Sequence, residues 1–188
     1  VAAFIPCVAS AEGFYAGALY GATFLDAGAE SVVGATLDED GTGYAFVIGN
    51  EIDERLSIEG FYIDFGEASL KGDSGDTFVF DGTTYAFITS ATAKETVTSM
   101  GVAGKLHFDM AEKLSGFGKF GMHSWEREIT LAAATVAASA TDEGHDILMG
   151  IGAEYDVSEK VAFVVGYDAF ILEDDDVSFL HGGIKIRF

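Results

Sequence analysis

The sequence contains few residues that could cross-link the chain or attract a polyanion. Its 188 residues include one cysteine, one proline, and 10 Lys and Arg residues against 31 Asp and Glu residues, so that the formal charge is −21 at pH 7. The lone Cys7 excludes an internal disulfide framework and a multi-cysteine metal site. The acidic excess argues against nucleic acid as a partner.

The chain also lacks an apolar run long enough for a transmembrane helix. Its longer uncharged runs, 1–11 and 129–141, are shorter than the roughly 18 residues that a spanning helix needs. Hydrophobic residues nevertheless make up 49% of the chain and the mean hydropathy is +0.27, which is high for so acidic a protein. An apolar belt facing lipid, with acidic tips in water, reconciles the two values. Without a helix, the backbone can cross lipid only as a closed barrel.

Eight stretches with an alternation of period two support that interpretation. Each is about as long as a tilted strand that crosses the hydrocarbon layer. The predicted strands are 13–25, 41–51, 55–66, 98–109, 113–125, 146–156, 160–171 and 177–188.

The connections between these strands alternate in length. Tight turns lie near Asp53, Ala111 and Ser158, whereas 26–40, 67–96 and 127–144 are long and polar and 173–176 is shorter. Short turns on one side and long loops on the other are typical of outer-membrane barrels. The 67–96 connection contains two β-prone stretches, 77–80 and 84–88, around Asp81-Gly82, which predict an extra hairpin. A soluble up-and-down barrel is the rival, because alternation alone does not say which face is inside.

The N-terminal segment has two interpretations. Residues 1–12 are either an N-terminal extension or the remnant of a signal peptide, because Ala9-x-Ala11 resembles a cleavage site. Residues 13–188 form the predicted barrel domain.

Several segments resemble OmpA-like outer-membrane barrels. They are FYAGALYG at 14–21, LSIEGFYIDFG at 56–66, FGKFG at 117–121 followed by Trp125, GIGAEY at 150–155, and DDDVSFLHGGIKIRF at 174–188. Their order along the chain is that of the family, and the length resembles barrel-only members of OmpX or OmpW size. The resemblance implies an all-β fold: an eight-stranded antiparallel up-and-down transmembrane β-barrel with short periplasmic turns and long acidic extracellular loops.

The resemblance also implies a location and partners. It places the protein in the bacterial outer membrane, in contact with outer-membrane lipids and lipopolysaccharide. The C-terminal strand, with Leu180, Ile184, Ile186 and Phe188 at alternate positions, resembles the signal that the barrel-assembly machinery recognises. A homo- or hetero-oligomer formed through the loops or the N-terminal extension is a further expectation.

Charged residues on the faces assigned inward predict a filled lumen. Opposite charges confined in a narrow barrel should pair, since an unpaired buried charge costs several kcal/mol, and a barrel of eight strands is just wide enough for side chains to fill it. An ion path through the lumen is the alternative. The residues are Glu59, Lys105, Lys119, Glu154, Asp168, Lys185 and Arg187.

Catalytic and metal sites have weaker support. Adjacent His123 and Ser124 suggest a hydrolase, but neighbours on a strand point to opposite faces and cannot form a nucleophile–base pair. His107, His123 and His181 are interpreted as hydrogen-bonded lumen residues. We therefore predict no enzyme activity and no cofactor. Acidic clusters are weak calcium candidates because they lack the spacing of a calcium loop; their residues are Asp38, Asp40, Asp174, Asp175 and Asp176.

Three functional hypotheses remain. The first is a structural barrel with a side-chain-filled lumen that supports envelope integrity or presents its loops to partners. The second is a small outer-membrane channel, and the third is a subunit of a larger outer-membrane or surface assembly.

Overall fold

The chain folds as a closed β-barrel with an additional small sheet. The computed structural model describes residues 13–25, 29–38, 40–80, 82–133, 136–172 and 175–188, so the predicted extension 1–12 lies outside the described residues. No helix in the described ranges is long and apolar enough to cross a membrane. The strands are β1 Phe14–Leu25, β2 Ala29–Val33, β3 Thr36–Asp38, β4 Asp40–Glu51, β5 Leu56–Gly72, β6 Thr77–Phe80, β7 Thr83–Ala86, β8 Ala91–Ala111, β9 Leu114–Ala133, β10 Val136–Asp156, β11 Val161–Leu172 and β12 Asp175–Arg187.

Eight of these strands form the barrel. Strands β1, β4, β5, β8, β9, β10, β11 and β12 pair antiparallel in that order, and β12 pairs with β1 to close the ring. Ala18, for example, lies opposite Phe46 of β4 on one side and Ile184 of β12 on the other. Closure leaves no unpaired edge at the depth of the hydrocarbon layer. The predicted eight-stranded up-and-down barrel is confirmed.

The outward face of the barrel carries an apolar belt. Its large side chains are exposed on the protein surface, whereas the alternate residues of the same strands are buried, and this is the reverse of a soluble barrel with a polar exterior. Members of the belt are Phe46, Ile48, Ile58, Met100, Val102, Leu106, Phe120, Met122, Met149, Ile151, Phe163, Val165, Leu180 and Ile184. Outward positions beyond Met100 and Met122 are polar, with Thr98 on β8 and Ser124 and Glu126 on β9 the next ones, so the belt ends there.

The predicted tight turns are confirmed. Strand β8 ends at Ala111 and β9 begins at Leu114, while residues 157–160 connect β10 to β11. The carboxylate of Asp53 accepts hydrogen bonds from the backbone N–H groups of Arg55 and Leu56, at 2.8 and 2.9 Å, and this closes the β4–β5 turn. The predicted hairpin within 67–96 is also present as β6 and β7, and β2 joins it in a three-stranded sheet.

The structure corrects the prediction that 127–144 is a loop. Strands β9 and β10 continue through that segment and pair up to the Ala133–Val136 pair. Strand β8 likewise begins at Ala91, inside the predicted 67–96 connection, and pairs there with both β9 and the upper part of β5. We call this region the projecting sheet; it consists of β3 and residues 67–72 of β5, 91–98 of β8, 126–133 of β9 and 136–145 of β10.

The projecting sheet was missed because its sequence is rich in Ala, Ser and Thr. Its inner face carries alternating apolar residues, but several of them are alanines, so the period of two is faint. Glu126 and Glu128 on the outer face made the segment look like a solvated loop.

The limits of the belt can be tested by placing one charge at two depths. Val102→Arg, in the belt, should lower the free energy of unfolding by about 2–4 kcal/mol, whereas Thr96→Arg, on the same face of β8 above the belt, should change it by less than about 1 kcal/mol. Urea unfolding in lipid vesicles measures both values. Equal effects of the two substitutions would contradict the assigned belt.

Candidate functional site

Glu154 lies at the centre of the periplasmic half of the lumen, where it joins two lysines. Lys105 and Lys185 both donate hydrogen bonds to its carboxylate, and Lys105 also donates to Glu59 at 3.2 Å. All four side chains are almost fully buried, with at most 4% of each residue exposed. Strands β5, β8, β10 and β12 each contribute one of them, so this cluster cross-links four of the eight barrel strands.

Arg187 extends this cluster to the periplasmic mouth. Its Nε donates to Glu51 at 2.9 Å, and its Nη1 donates to Asp156 at 2.7 Å. Lys185 also reaches Glu51, at 3.2 Å, and this bond connects the mouth to the buried centre. We call Glu51, Glu59, Lys105, Glu154, Asp156, Lys185 and Arg187 the lower charge cluster.

Lys119 and Asp168 form a second, separate group closer to the middle of the barrel. Lys119 donates to Asp168 at 2.5 Å, and the Nε2 atom of His181 lies 3.3 Å from the same carboxylate oxygen. Lys119 and Lys105 are directly opposite each other on β9 and β8. Because like charges at opposed positions repel, each lysine turns to a different carboxylate. The seven predicted lumen residues therefore lie together inside the barrel but in two groups.

The absence of a side chain at Gly150 leaves room for the Lys119–Asp168 pair. Gly150 of β10 is paired with Asp168 of β11, and a Cβ atom at this glycine would overlap the Asp168 carboxylate. Any larger residue at position 150 would push the carboxylate away from Lys119.

Tyr15, Ser57 and His107 complete the lower charge cluster. The Tyr15 hydroxyl donates to Glu59 at 2.9 Å, and Ser57 Oγ lies 2.9 Å from His107 Nε2. Lys185 Nζ also lies over the Tyr15 ring, 4.8 Å from its centroid. The sequence analysis did not assign Tyr15 to the lumen. Its alternation with Leu19 and Thr23 on β1 is the signal that could have placed it there.

An apolar plug fills the extracellular half of the lumen. Phe65 and Phe170 meet edge to face with their ring centroids 4.9 Å apart, and Phe61 packs on Phe170 at 5.9 Å. Around them lie Leu25, Ile63, Val97, Leu148, Leu172, Val177 and Phe179, each with 3% or less of its surface exposed. Between plug and lower cluster, a cavity of about 10 Å³ is lined by residues including Lys105, Lys119 and His181, and this is close to the minimum space for one water molecule.

His123 and Ser124 do not form a nucleophile–base pair. The His123 ring points into the lumen, with Nδ1 2.8 Å from Ser99 Oγ, and its Nε2 donates to the carbonyl of Ile171 at 3.1 Å. Ser124 follows on the opposite face of β9, as expected from strand geometry. The absence of enzyme activity stays a prediction.

Only two of the five calcium-candidate side chains, Asp38 and Asp176, are among the described side chains. Asp174 lies outside the described residues, and the side chains of Asp40 and Asp175 are not described. Asp38 and Asp176 are exposed. Among the side chains that are described, no three from His, Cys, Asp and Glu lie close enough together to hold a metal ion.

The proposed assembly signal lies on the lipid-facing side of the last strand. Leu180, Ile184, Ile186 and Phe188 are all about half exposed on the outer surface of the barrel. The backbone N–H of Phe188 donates to the carbonyl of Phe14 at 3.0 Å, so the C-terminal residue is held at the β1–β12 closure. Recognition of this face by assembly machinery stays a prediction.

Removal of the central carboxylate tests the lower charge cluster. Glu154→Gln should lower the free energy of unfolding by about 3–5 kcal/mol, because it leaves the buried Lys105 and Lys185 without their shared partner. Glu159→Gln, an exposed change in the following turn, is the matched control and should have little effect. Urea unfolding in lipid vesicles measures the free energy of unfolding of both variants. Equal values would mean that the lower charge cluster does not stabilise the barrel.

Comparisons with known proteins agree with this architecture. The sequence matches the family described as outer membrane protein beta-barrel domain over residues 2–188. No curated protein matches the sequence. Among solved structures, the chain is similar to Ail of Yersinia pestis, with a TM-score of 0.58, 14% identity and coverage of 94% of this chain and 99% of Ail.

Two further barrels have comparable similarity. The N-terminal β-barrel domain of Pseudomonas aeruginosa OprF gives a TM-score of 0.55 at 12% identity, with 94% of this chain and 98% of that chain covered. Neisserial surface protein A gives 0.54 at 15% identity, with the same coverage. At these identities the similarity establishes the fold alone. The family match establishes more: the chain belongs to the outer membrane protein β-barrel domain family and resides in the bacterial outer membrane.

Proposed function

We propose that this protein is a barrel with a closed lumen whose function is to hold the projecting sheet at the cell surface for contact with partners outside the cell. One observation carries the proposal. Strands β8, β9 and β10 are 21, 20 and 21 residues long, about twice the length that crosses the hydrocarbon layer. The other barrel strands, apart from β5, have 12 or 13 residues. Extra strand length on one side builds a surface in water and adds nothing to the membrane span.

The contents of the lumen support a role other than transport. The lower charge cluster, the Lys119–Asp168 pair and the apolar plug occupy successive levels of the barrel, and a barrel of eight strands leaves little space beyond its own side chains. A channel would need a continuous path for water past rings such as Phe65 and Phe170. We therefore prefer the filled barrel to the small channel.

The partners of the membrane-embedded part follow from its surface. The apolar belt fits outer-membrane lipid. The carboxylates of Glu126 and Glu128 above it fit lipopolysaccharide headgroups through divalent cations that bridge carboxylate and phosphate. The C-terminal face around Phe188 is the part that we expect the barrel-assembly machinery to bind. Membership of a larger assembly, through loops or through residues 1–12, is the alternative role for the projecting sheet.

Shortening the projecting sheet tests the proposal. In the variant, residues 130–139 are replaced by Asn-Gly, which joins the paired Ile129 and Ala140 through a two-residue turn. Its free energy of unfolding should differ from that of the full chain by less than about 1 kcal/mol, because the removed side chains that the structure describes, those of 130–133 and 137–139, do not pack in the lumen. Neither protein should show a steady conductance in planar bilayers.

Two results would contradict the proposal. Unfolding of the shortened barrel would mean that the sheet serves the stability of the barrel rather than an external partner. A large, stable open level in the full chain would favour the channel. Heat-dependent migration on gels provides the control that both proteins are folded.

A further inference from the structure

A polar groove lies where the projecting sheet meets the small sheet of β2, β6 and β7. Its volume is about 430 Å³, which is within the range of small-molecule binding sites. Three paired strands contribute one row of its lining: Thr36 of β3 lies opposite Lys71 of β5, and Lys71 lies opposite Thr92 of β8. We call this cavity the Lys71 groove.

A second set of polar residues lines the Lys71 groove just beyond the ends of β5 and β8. The Ser90 hydroxyl donates to Oδ1 of Asp73 at 2.7 Å, and the backbone N–H of Asp73 donates to Oδ2 of Asp76, also at 2.7 Å. These bonds fix both carboxylates. No described residue donates a hydrogen bond to Oδ2 of Asp73, so this oxygen is available as an acceptor for a ligand.

Lys71 has no ion-pair partner among the described residues, although two carboxylates line the same groove. The projecting sheet contains two other cations, and both are paired: Lys94 lies 2.9 Å from Glu67, and Arg127 lies 3.2 Å from Glu95. The groove therefore contains an ammonium group and carboxylates that do not neutralise each other directly. A ligand that offers both acceptors and donors can bond to both kinds of group.

The rest of the lining leaves the Lys71 groove open. It consists of small residues, so that no long side chain from this set fills the space and a ligand can approach the backbone closely. They are Gly34, Gly72, Ala91, Ala132 and Ala133. At Gly34, a Cβ atom would overlap the Asp76 carboxylate, so this position requires glycine.

We infer that the Lys71 groove binds a neutral saccharide. Each sugar hydroxyl can donate one hydrogen bond and accept others. One hydroxyl can therefore accept from the Lys71 ammonium while another donates to Oδ2 of Asp73, and hydrogen bonds to charged groups are the stronger kind. The hydroxyls of Thr36 and Thr92 can donate or accept, and so they fit either arrangement of the sugar.

Charge and polarity favour this class of ligand over the alternatives. An anion would be attracted by Lys71 but repelled by Asp73 and Asp76, and the whole chain carries a formal charge of −21. An organic cation would be repelled by Lys71. An apolar ligand would leave the charged groups of the groove without the hydrogen bonds that water now gives them. A neutral polyhydroxyl compound has none of these costs.

The position of the groove determines which saccharides can reach it. Thr92 lies eight residues beyond Met100, the last belt residue of β8, which is about 27 Å along an antiparallel strand. At this distance the groove is in water, where two sources of sugar are present: the oligosaccharide of surrounding lipopolysaccharide and glycans from outside the cell. This inference rests on the proposed function, since it gives the projecting sheet a ligand of defined chemistry.

Binding of neutral oligosaccharides tests the inference. The probes are maltotriose, lactose, mannotriose and diacetylchitobiose, and the full chain is held in nanodiscs of zwitterionic lipid without lipopolysaccharide. At least one probe should bind in saturation-transfer NMR and should shift the amide signals of 71–73 and 90–92. Its affinity should be the same at low and high salt, because no ligand charge is screened. Sialyllactose, an anionic counterpart of lactose, should bind more weakly than the best neutral probe.

Four variants locate the site. Lys71→Met removes the ammonium but keeps a long side chain, and it should weaken binding about tenfold. Thr92→Val replaces one hydroxyl by a methyl group and should weaken binding severalfold. The matched controls are Lys113→Met, in a periplasmic turn, and Thr96→Val, on the same face of β8 nearer the membrane; both should leave the affinity unchanged. Heat-dependent gel migration verifies that each variant is folded.

A second set of nanodiscs distinguishes the two sources of saccharide. If lipopolysaccharide supplies the ligand, nanodiscs that contain it with its full oligosaccharide should block the best probe, whereas lipid A alone should not. If the ligand comes from outside the cell, neither lipid should block the probe. Both results support a saccharide site, and they differ only in the source.

Three results would overturn the inference. They are the absence of binding by all four neutral probes, tighter binding of sialyllactose than of any neutral probe, and equal effects of Lys71→Met and Lys113→Met on the affinity. Each of them is compatible with a closed barrel and a surface role, which are tested separately by conductance and by the shortened sheet.

Discussion

The structure depends on one constraint: a backbone in lipid must satisfy its own hydrogen bonds. Strands achieve this only when they close into a ring, and closure places every second side chain in a narrow lumen. The outward residues then form the apolar belt. The inward residues pack against each other, because the lumen of an eight-stranded barrel is only wide enough for side chains. The high apolar content of a strongly charged chain is a consequence of that division.

Confinement explains why the lumen charges are arranged as they are. Lys105 and Lys119 are opposed on neighbouring strands, an arrangement that requires each to find a carboxylate on another strand. Lys105 reaches Glu59 and Glu154, and Lys119 reaches Asp168. Each buried ion pair offsets the desolvation of both partners, and each also links strands that are distant in sequence. The same contacts that neutralise the lumen therefore stabilise the closure of the barrel.

Much of the barrel was predictable from the sequence because the pattern that marks each strand lies within that strand. A period of two locates the strands, and the parity of each charged residue within its strand places Glu59, Glu154 and Lys185 on the inner face. The two-group arrangement was not predictable, since it depends on register between strands far apart in sequence: Lys119 and Asp168 are separated by 49 residues, and Glu51 and Arg187 by 136. The apolar plug was also missed. Inward and outward apolar residues look alike in a sequence, and only the fold shows that Phe65 faces the lumen whereas Phe120 faces lipid.

The projecting sheet was also not predictable from the sequence. Its strands contain small and acidic residues that favour a loop interpretation when considered alone, and the hydrogen bonds to neighbouring strands make them a sheet. Because the strands of this region continue strands of the closed barrel, their hydrogen bonds set its position relative to the barrel.

The central claim is that the lumen is filled and excludes bulk water around the buried members of the lower charge cluster, Lys105, Glu154 and Lys185. Proton exchange of the lysine ammonium groups with water, measured by NMR in nanodiscs near neutral pH, tests it most directly. We expect slow exchange and resolved signals for Lys105 and Lys185, which are 2% exposed, and fast exchange for the exposed Lys71 and Lys113. Equally fast exchange for all four lysines would mean that water fills the lumen and would contradict the account.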